Sequence, residues 1–225
     1  MKTATLIILL LAPLALVAQN KYGLKPMKMG EYQNSIAASS ENELVNLSDF
    51  IPEIKLDIRY ATNNNFTGKQ IYRLARAYAR KPVAESLKKI QADLKKQGLG
   101  LKIFDGYRPY SATVMFYETY HDTTYVASPY KGSRHNRGCA LDLTVIDLKT
   151  GKELKMPTEY DSFKKEAWPS TPVSDPVIRS NRKTLIDAME KHGFKVNSSE
   201  WWHFDFIGWQ KFAVMDIDFE ELEND

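Results

Sequence analysis

The sequence predicts a single α+β domain with a central, mostly antiparallel sheet flanked by helices. Strand-like and helix-like segments follow one another without a regular β-α-β rhythm, which favours this class over a parallel sheet. The chain has 225 residues, of which 43% are hydrophobic. This length supports one packed core and is short for two independent domains. No repeat or low-complexity tract divides it.

The first twenty residues have the pattern of a bacterial secretory signal. Lys2 precedes an apolar run from Leu6 to Val17, and the small residue Ala18 follows. We therefore expect a signal peptide over residues 1–18 and a secreted, periplasmic protein without stable membrane insertion after cleavage. An uncleaved membrane anchor is the alternative, although the run is short for a bilayer span.

The rest of the chain divides into three parts by composition. Residues 19–45 are polar without clear periodicity and are predicted to be a loosely ordered lead-in. The main domain is expected over 46–215, and the acidic residues 216–225 as a solvated tail. The net charge of +3 is not concentrated in a patch, which argues against a nucleic-acid partner. Cys139 is the only cysteine, so no intrachain disulfide can form.

The first half of the main domain predicts two strands and two helices. Alternation from Ile54 to Ile58 indicates a strand, and residues 63–68 supply a turn. A helix begins at Pro82 and stops before Gly98. The segment LGLKIFDGYRP is a short strand ending in a turn. Ser111 is predicted to cap a second helix that runs to about Tyr120.

The second half predicts two further strands around a long helix. The segment CALDLTVID is a strand closed by a KTG turn, and residues 152–175 are irregular. A helix runs from Pro176 to Gly193, and EWWHFDF forms the last strand.

The stretch SRHNRGCALD brings a histidine and an aspartate close to one strand face. Side chains two apart in a strand share a face, so Asp142 points away from the side of Cys139 and Leu141. A carboxylate between small neighbours needs a partner. His135 precedes the turn at Gly138 and can fold back toward the same face.

A second stretch, SEWWHFDF, supplies two more polar groups among aromatic residues. Glu200 and His203 lie three positions apart there. The residues His135, Asp142 and His203 would give a zinc ion three protein ligands and leave one position open, as a catalytic site requires. Glu200 would then serve as the general base.

Other interpretations of these residues stay open at this point. A histidine in an aromatic strand is more often a satisfied core residue than a ligand, and the spacing of His135 and Asp142 is a weak signal by itself. A cysteine hydrolase built on Cys139 and His135 is also conceivable, but strand parity turns Cys139 away from Asp142. Arg108, held in a turn before Pro109, is positioned to stabilise an oxyanion or merely to pair with Asp105.

The motifs resemble a known family. SRHNRGCALDLTV is similar to the S-x-H-x-x-G-x-A-x-D motif, and EWWHF to the E-x-W-H motif, of the D-alanyl-D-alanine dipeptidases of VanX type. These are zinc metallopeptidases whose fold is shared with D,D-carboxypeptidases and the hedgehog amino-terminal domain. The resemblance continues through DIRYATNNNFTG, DGYRP and MPTEYDSF and covers roughly residues 50–207 in the expected order.

The resemblance implies one zinc ion per chain, bound by His135, Asp142 and His203, with Glu200 activating the attacking water. Arg108 would stabilise the transition state. Two further residues would bind the dipeptide substrate, namely Ser133 and Asp161, the latter through the free ammonium group of the substrate. Cys139, where another small residue is expected, and Pro157, where a glycine is expected after Met156, depart from the family pattern.

The resulting expectation is a zinc dipeptidase that hydrolyses D-Ala-D-Ala in cell-wall turnover or dipeptide scavenging. A D,D-carboxypeptidase acting on peptidoglycan stem peptides is the nearest alternative, and a carboxylate at Asp161 that awaits a free amino terminus disfavours it. A non-catalytic zinc-containing binding module is a second alternative, which Glu200 disfavours because a structural ion needs no base. The sequence carries no indication of the oligomeric state.

Overall fold

The computed structural model describes residues 21–224. The signal peptide predicted at residues 1–18 lies outside the described residues. Within the described part of the chain, no helix combines the length and the apolar character needed to cross a bilayer.

The described residues form two sheets, and the larger one is the centre of the fold. It has five strands in the order β2-β4-β5-β7-β6, with β2 parallel to β4 and the other pairs antiparallel. The smaller sheet pairs β1 with β3. The strands are β1 (Leu44–Asn46), β2 (Lys55–Leu56), β3 (Tyr78–Arg80), β4 (Leu99–Asp105), β5 (Ala140–Asp147), β6 (Phe194–Val196) and β7 (His203–Phe206). The predicted α+β class with a mostly antiparallel sheet is therefore confirmed.

Helices flank this sheet. In the described residues they are α1 (Met29–Ala38), α2 (Leu47–Phe50), α3 (Lys81–Lys95), α4 (Tyr110–Thr119), α5 (Pro176–Glu190) and α6 (Phe219–Glu223). The apolar stripe of α3 is fully buried, as its spacing predicts. Asp175 caps α5, where its Oδ1 accepts hydrogen bonds from the backbone amides of Val177 and Ile178. A cap of this kind stabilises a helix by about 1 kcal/mol.

The strand β5 separates the hydrophobic core from the polar face that carries Asp142. The alternate residues Leu141, Leu143 and Val145 belong to the core cluster, and Asp142 and Thr144 lie buried between them on the opposite face. Strand parity predicts this division. The strand therefore presents a buried carboxylate that lines a cavity.

The lead-in is ordered where the structure describes it, which corrects the expectation for that part of residues 19–45. The helix α1 begins after Lys28, whose backbone amide donates to Glu31 Oε2 at 3.1 Å. Tyr32 is buried, and its hydroxyl accepts a hydrogen bond of 2.7 Å from Leu44 N. This buried ring, the hydrogen bond from Met27 N to the carbonyl of Val214 and the pairing of β1 with β3 hold a segment whose polar composition concealed these contacts.

The acidic end and the start of α4 also differ from the prediction. Phe219 is buried against the rings of Tyr72 and Tyr78, at centroid distances of 4.9 and 5.6 Å, so this end is not a solvated tail. Ser111 lies inside α4 and is not its cap. Its backbone amide instead donates to Asp216 Oδ1 at 2.8 Å. The bounds of the main domain, 46–215, stay a prediction.

Candidate metal centre and active site

Two neighbouring strands and one tight turn bring the predicted metal ligands together. Asp142 on β5 is directly opposite His203 on β7 in the antiparallel register. His135 begins a short 3-10 turn that ends at Gly138, where φ is +68°. A Cβ at Gly138 would lie 2.6 Å from Leu44 Cδ2, so only glycine fits this turn. The turn returns the histidine to the face of Asp142.

The three side chains converge on one point. His203 Nδ1 lies 3.1 Å from His135 Nε2 and 3.0 Å from Asp142 Oδ1, and His135 Nε2 lies 3.4 Å from Asp142 Oδ1. All three residues are buried. Among the described residues, this is the group of histidine, cysteine and carboxylate side chains with the geometry to hold a metal ion.

Hydrogen bonds outside the group determine which atoms face the centre. His135 Nδ1 donates to the carbonyl of Gly106 at 2.7 Å, so Nε2 carries the lone pair of the neutral ring. His203 Nε2 donates to Asp205 Oδ1 at 3.0 Å, so Nδ1 carries the lone pair in the neutral form of this ring. The outer partners therefore fix both tautomers as metal-binding histidines require.

The carboxylate of Asp142 completes the donor set. Its Oδ2 accepts a hydrogen bond from the Tyr160 hydroxyl at 3.0 Å, whereas the buried Oδ1 receives none from the described residues. Three potential metal-donor atoms, His135 Nε2, His203 Nδ1 and Asp142 Oδ1, thus face one another. Two nitrogens and one oxygen are a ligand set that fits a zinc ion, and a cation would satisfy the unpartnered oxygen.

Glu200 lies beside this centre. Its Oε2 is 3.7 Å from His203 Nδ1 and accepts a hydrogen bond of 3.2 Å from Asn197 Nδ2. The Asn197 side-chain oxygen is fixed in turn by the backbone amide of Ser199 at 2.9 Å. Burial raises the pKa of Glu200 to about 7. A carboxyl group with such a pKa can accept and return a proton near neutral pH.

Arg108 is held rigidly next to Asp142. Its Nε and Nη2 lie 2.9 and 2.7 Å from Asp105 Oδ2, and Nη2 lies 3.7 Å from Asp142 Oδ2. The guanidinium also lies over the rings of Phe116 and Tyr60, at 4.7 and 5.3 Å. The pairing with Asp105 that the sequence left open is therefore present, and it orients the guanidinium within the cavity.

The two predicted substrate-binding residues lie in the wall of the same cavity. Ser133 Oγ accepts a hydrogen bond of 3.1 Å from the His135 amide, and its own proton donates to none of the described residues. Asp161 accepts hydrogen bonds from the Tyr60 hydroxyl at 3.0 and 3.1 Å and forms no ion pair with any described residue. Burial raises the pKa of Asp161 well above its usual value. This carboxyl group lacks a cationic partner.

The cavity that these residues enclose is small, about 110 Å³. Its rim consists of residues 123–127 and Phe163. The Phe163 ring stacks on Tyr125 at 4.9 Å and contacts Tyr120 at 4.8 Å and Phe66 at 5.3 Å between ring centres. A cavity of this volume suits a small ligand.

The position of Cys139 contradicts a cysteine hydrolase. The thiol packs in the hydrophobic core on the other face of the sheet, where Sγ donates to the carbonyl of Arg137. Burial raises the pKa of Cys139 to about 12, which disfavours the thiolate. Strand parity predicted this orientation correctly.

Sequence reasoning missed the partners that orient the site, Tyr60, Tyr160, Asn197 and Asp205. Asp205 carried a usable signal, since it lies two positions after His203 on the same strand face. Asn197 precedes Glu200 by three positions, but nothing in the sequence distinguishes it from an ordinary turn residue. The two tyrosines come from irregular segments whose positions only the folded chain defines.

The fold and the site define a class of protein. An α+β domain in which two histidines, one aspartate and an adjacent glutamate enclose a small polar cavity has the features of a metal-dependent hydrolase. Comparisons with known proteins identify the family within this class.

Residues 40–221 match the peptidase M15 family, described as D-ala-D-ala dipeptidase. The D-alanyl-D-alanine dipeptidase of Escherichia coli is 36% identical over 167 residues, which are 74% of this chain and 86% of the relative. That of Enterococcus faecalis is 32% identical over 190 residues, 74% of this chain and 93% of the relative. The chain belongs to this D-Ala-D-Ala dipeptidase family and is a metallopeptidase.

A solved structure is also similar. The LD-carboxypeptidase LdcB has 26% sequence identity and a TM-score of 0.40, over 59% of this chain and 61% of the other.

Proposed function

We propose that this protein hydrolyses D-Ala-D-Ala to two molecules of D-alanine with a zinc ion held by His135, Asp142 and His203. One observation carries the proposal, namely the convergence of three potential metal-donor atoms beside Glu200 in a small cavity. Membership of the dipeptidase family supports the choice of substrate. A zinc ion at this point would supply Lewis acidity toward the scissile carbonyl and the attacking water.

Glu200 moves the proton in this mechanism. Its carboxylate accepts a proton from the attacking water as the new C–O bond forms, and returns it to the leaving amine as the C–N bond breaks. The raised pKa of Glu200, caused by burial, suits both transfers. The hydrogen bond from Asn197 Nδ2 keeps the carboxylate facing the cavity.

Arg108 stabilises the negative charge that develops on the carbonyl oxygen. The guanidinium is already oriented by Asp105 and by two aromatic rings, so little reorganisation is needed during the reaction. Burial in the cavity wall strengthens this interaction relative to water.

Asp161 and Ser133 bind the dipeptide. The carboxyl group of Asp161, half-buried and without a cationic partner among the described residues, is suited to the free ammonium group of a dipeptide. A peptide extended at its amino end carries no ammonium group at that position and would leave the carboxylate unpaired, which disfavours a D,D-carboxypeptidase. The hydroxyl of Ser133 retains a proton that can donate to the substrate.

The proposal extends to the physiological role. A secretory signal at residues 1–18 would take the protein to the periplasm, away from a cytoplasmic pool of D-Ala-D-Ala. Dipeptide scavenging or cell-wall turnover follows as the role. Finding the protein in the cytoplasm of its host, with residues 1–18 retained, would contradict it.

The decisive experiment measures D-alanine release by the zinc-loaded protein from D-Ala-D-Ala and from a stem pentapeptide that ends in D-Ala-D-Ala. We expect hydrolysis of the dipeptide alone. Glu200→Gln should lower kcat by a factor on the order of 10² to 10⁴, with one zinc ion per chain retained by metal analysis. His192→Ala, which changes a histidine paired with Asp93 outside the cavity, is the matched control and should retain both activity and zinc.

Two other results would redirect the assignment. Cleavage of the pentapeptide would indicate a D,D-carboxypeptidase. Zinc binding without hydrolysis of either peptide would indicate a non-catalytic binding module.

A further inference from the structure

Arg134 has no role in the mechanism above, although it lies between Ser133 and His135 and lines the cavity. Its side chain is 48% exposed, unlike the buried Arg108. The guanidinium carbon lies 5.0 Å from the ring centre of Trp209. Stacking of this kind supports the plane of the guanidinium and leaves its N–H edge available.

The hydrogen-bonding capacity of Arg134 is unused. Its charged neighbour is Asp205, and the separation of 3.6 Å between Nε and Oδ2 is too long for a hydrogen bond. The other oxygen of Asp205 already accepts from His203 Nε2. None of the five N–H groups of Arg134 donates to a described residue. The guanidinium lies beside Trp209 and Asp205 in a surface groove, and Arg134 lines both that groove and the cavity. A planar bidentate donor is therefore available where the two meet.

The charges in the cavity leave a particular need for such a donor. Among the described lining residues, the carboxylates are Asp142, Asp161 and Glu200, and the arginines are Arg108 and Arg134. Arg108 uses Nε and Nη2 on Asp105. A dipeptide at neutral pH carries an ammonium group at one end and a carboxylate at the other. Asp161 suits the first, and Arg134 is the remaining lining cation for the second.

We propose that Arg134 binds the C-terminal carboxylate of the dipeptide and thereby selects substrates with a free carboxyl end. The inference rests on the proposed function. A guanidinium matches a carboxylate with two parallel hydrogen bonds, which are stronger than neutral ones. The contact with Trp209 limits the entropy that Arg134 loses on binding.

If Arg134 binds the carboxylate, the protein should distinguish two substrates that differ only at the carboxyl end. D-Ala-D-Ala and D-Ala-D-alaninamide have the same scissile bond and the same ammonium group, but the amide lacks the negative charge. We expect the wild-type protein to prefer the free acid by about 10- to 100-fold in kcat/KM, the range of charged hydrogen bonds. The difference should lie mainly in KM.

The test compares both substrates in Arg134→Met and Arg134→Lys. Arg134→Met should lose the preference, with a large rise in KM for the acid and little change for the amide, and Arg134→Lys should retain part of it. Lys195→Met is the matched control, since Lys195 and Arg134 share a surface groove but only Arg134 also lines the cavity. This control should keep the full preference.

A binding measurement makes the result independent of turnover. Calorimetric titration of zinc-loaded Glu200→Gln with each ligand should show tighter binding of the acid, and adding Arg134→Met should abolish the difference. Zinc content and melting temperature should match those of the parent protein.

Two outcomes would overturn the inference. An equal loss on both substrates would show that Arg134 acts by holding Asp205 and, through it, His203. An unchanged preference in Arg134→Met would show that another group binds the carboxylate. Failure of the proposed function is a separate result, because the wild-type protein would then hydrolyse neither substrate.

Discussion

The floor of the cavity and its rim are built by different means. The floor consists of His135, Asp142, His203 and Glu200, and the rim consists of residues 123–127 and Phe163. Two floor residues lie on paired strands, and all four have a fixed hydrogen-bonding partner or a position imposed by backbone register. The rim is irregular chain between regular elements.

Different interactions hold the two regions. The floor depends on directional hydrogen bonds of 2.7 to 3.2 Å. The rim depends on stacked rings around Phe163 and on a hydrogen bond of 3.2 Å from Ser199 Oγ to the carbonyl of Thr124. Aromatic contacts tolerate small displacements that a metal site does not. We therefore expect that mutations in the floor change the chemistry of the reaction and that mutations in the rim change the selection of substrate.

Zinc binding by the floor should weaken strongly when a residue that hydrogen-bonds to one of the metal ligands is removed. Asp205→Ala removes the acceptor that holds His203 Nε2, so the ring loses its fixed tautomer. We expect zinc affinity to fall by about 10- to 100-fold, measured by competition with a chelator, and activity at limiting zinc to fall with it. Asp187→Ala, a charge change on the exposed face of α5, is the control. Unchanged zinc affinity in Asp205→Ala would show that the floor does not depend on the hydrogen bond from His203 to Asp205.

A mutation in the rim should weaken substrate binding and leave zinc binding unchanged. Phe163→Ala removes the ring contacts with Tyr125 and Tyr120, each worth about 0.5 to 1.5 kcal/mol. We expect KM for D-Ala-D-Ala to rise about tenfold while zinc affinity stays at the wild-type value. Tyr130→Ala, an exposed aromatic residue outside the cavity wall, should change neither. A loss of zinc in Phe163→Ala would show that the two regions are coupled.

The same contrast explains what the sequence could predict. Strand periodicity is local, so the face shared by Asp142 and Thr144 follows from the sequence alone, and the glycine at 138 indicates the turn that returns His135. The contacts of Tyr160 with Asp142 and of Tyr60 with Asp161 join residues 18 and 101 positions apart. No local pattern encodes such pairs, because irregular segments place them.

The ends of the chain show a second limit of sequence reasoning. Polar composition predicted that the lead-in would be loosely ordered and that the acidic tail would be solvated. Buried side chains, such as Tyr32 in the lead-in and Ile217 and Phe219 at the acidic end, attach these segments to the core. Average composition over a window conceals one such anchor. The short strand β6 was missed for a related reason, since three residues give too little periodicity to recognise.

Asp216 provides the smallest test and lies outside both regions. Its Oδ2 accepts from Lys28 Nζ at 2.7 Å and its Oδ1 from the Ser111 amide at 2.8 Å, so it joins the lead-in to α4. Burial opposes the charged form, but these hydrogen bonds outweigh it, and the pKa of Asp216 lies below its usual value. A lowered folded-state pKa stabilises the protein above the unfolded pKa of about 3.9, and this contribution is lost as pH falls toward the folded value.

Asp216→Asn should therefore lower the free energy of unfolding by about 1 kcal/mol at pH 7, and the difference from wild type should narrow below about pH 4. Urea unfolding at both pH values measures it, and acid effects common to both proteins, including loss of metal, cancel in the difference. Asp187→Asn controls for a general change in charge.

The helix α4 carries Phe116, which supports Arg108 in the cavity wall. If kcat and zinc affinity stay unchanged in Asp216→Asn, the geometry of the floor does not depend on the hydrogen bonds of Asp216 to Lys28 and Ser111. A destabilisation that is the same at both pH values would instead assign the effect to shape and not to the charge.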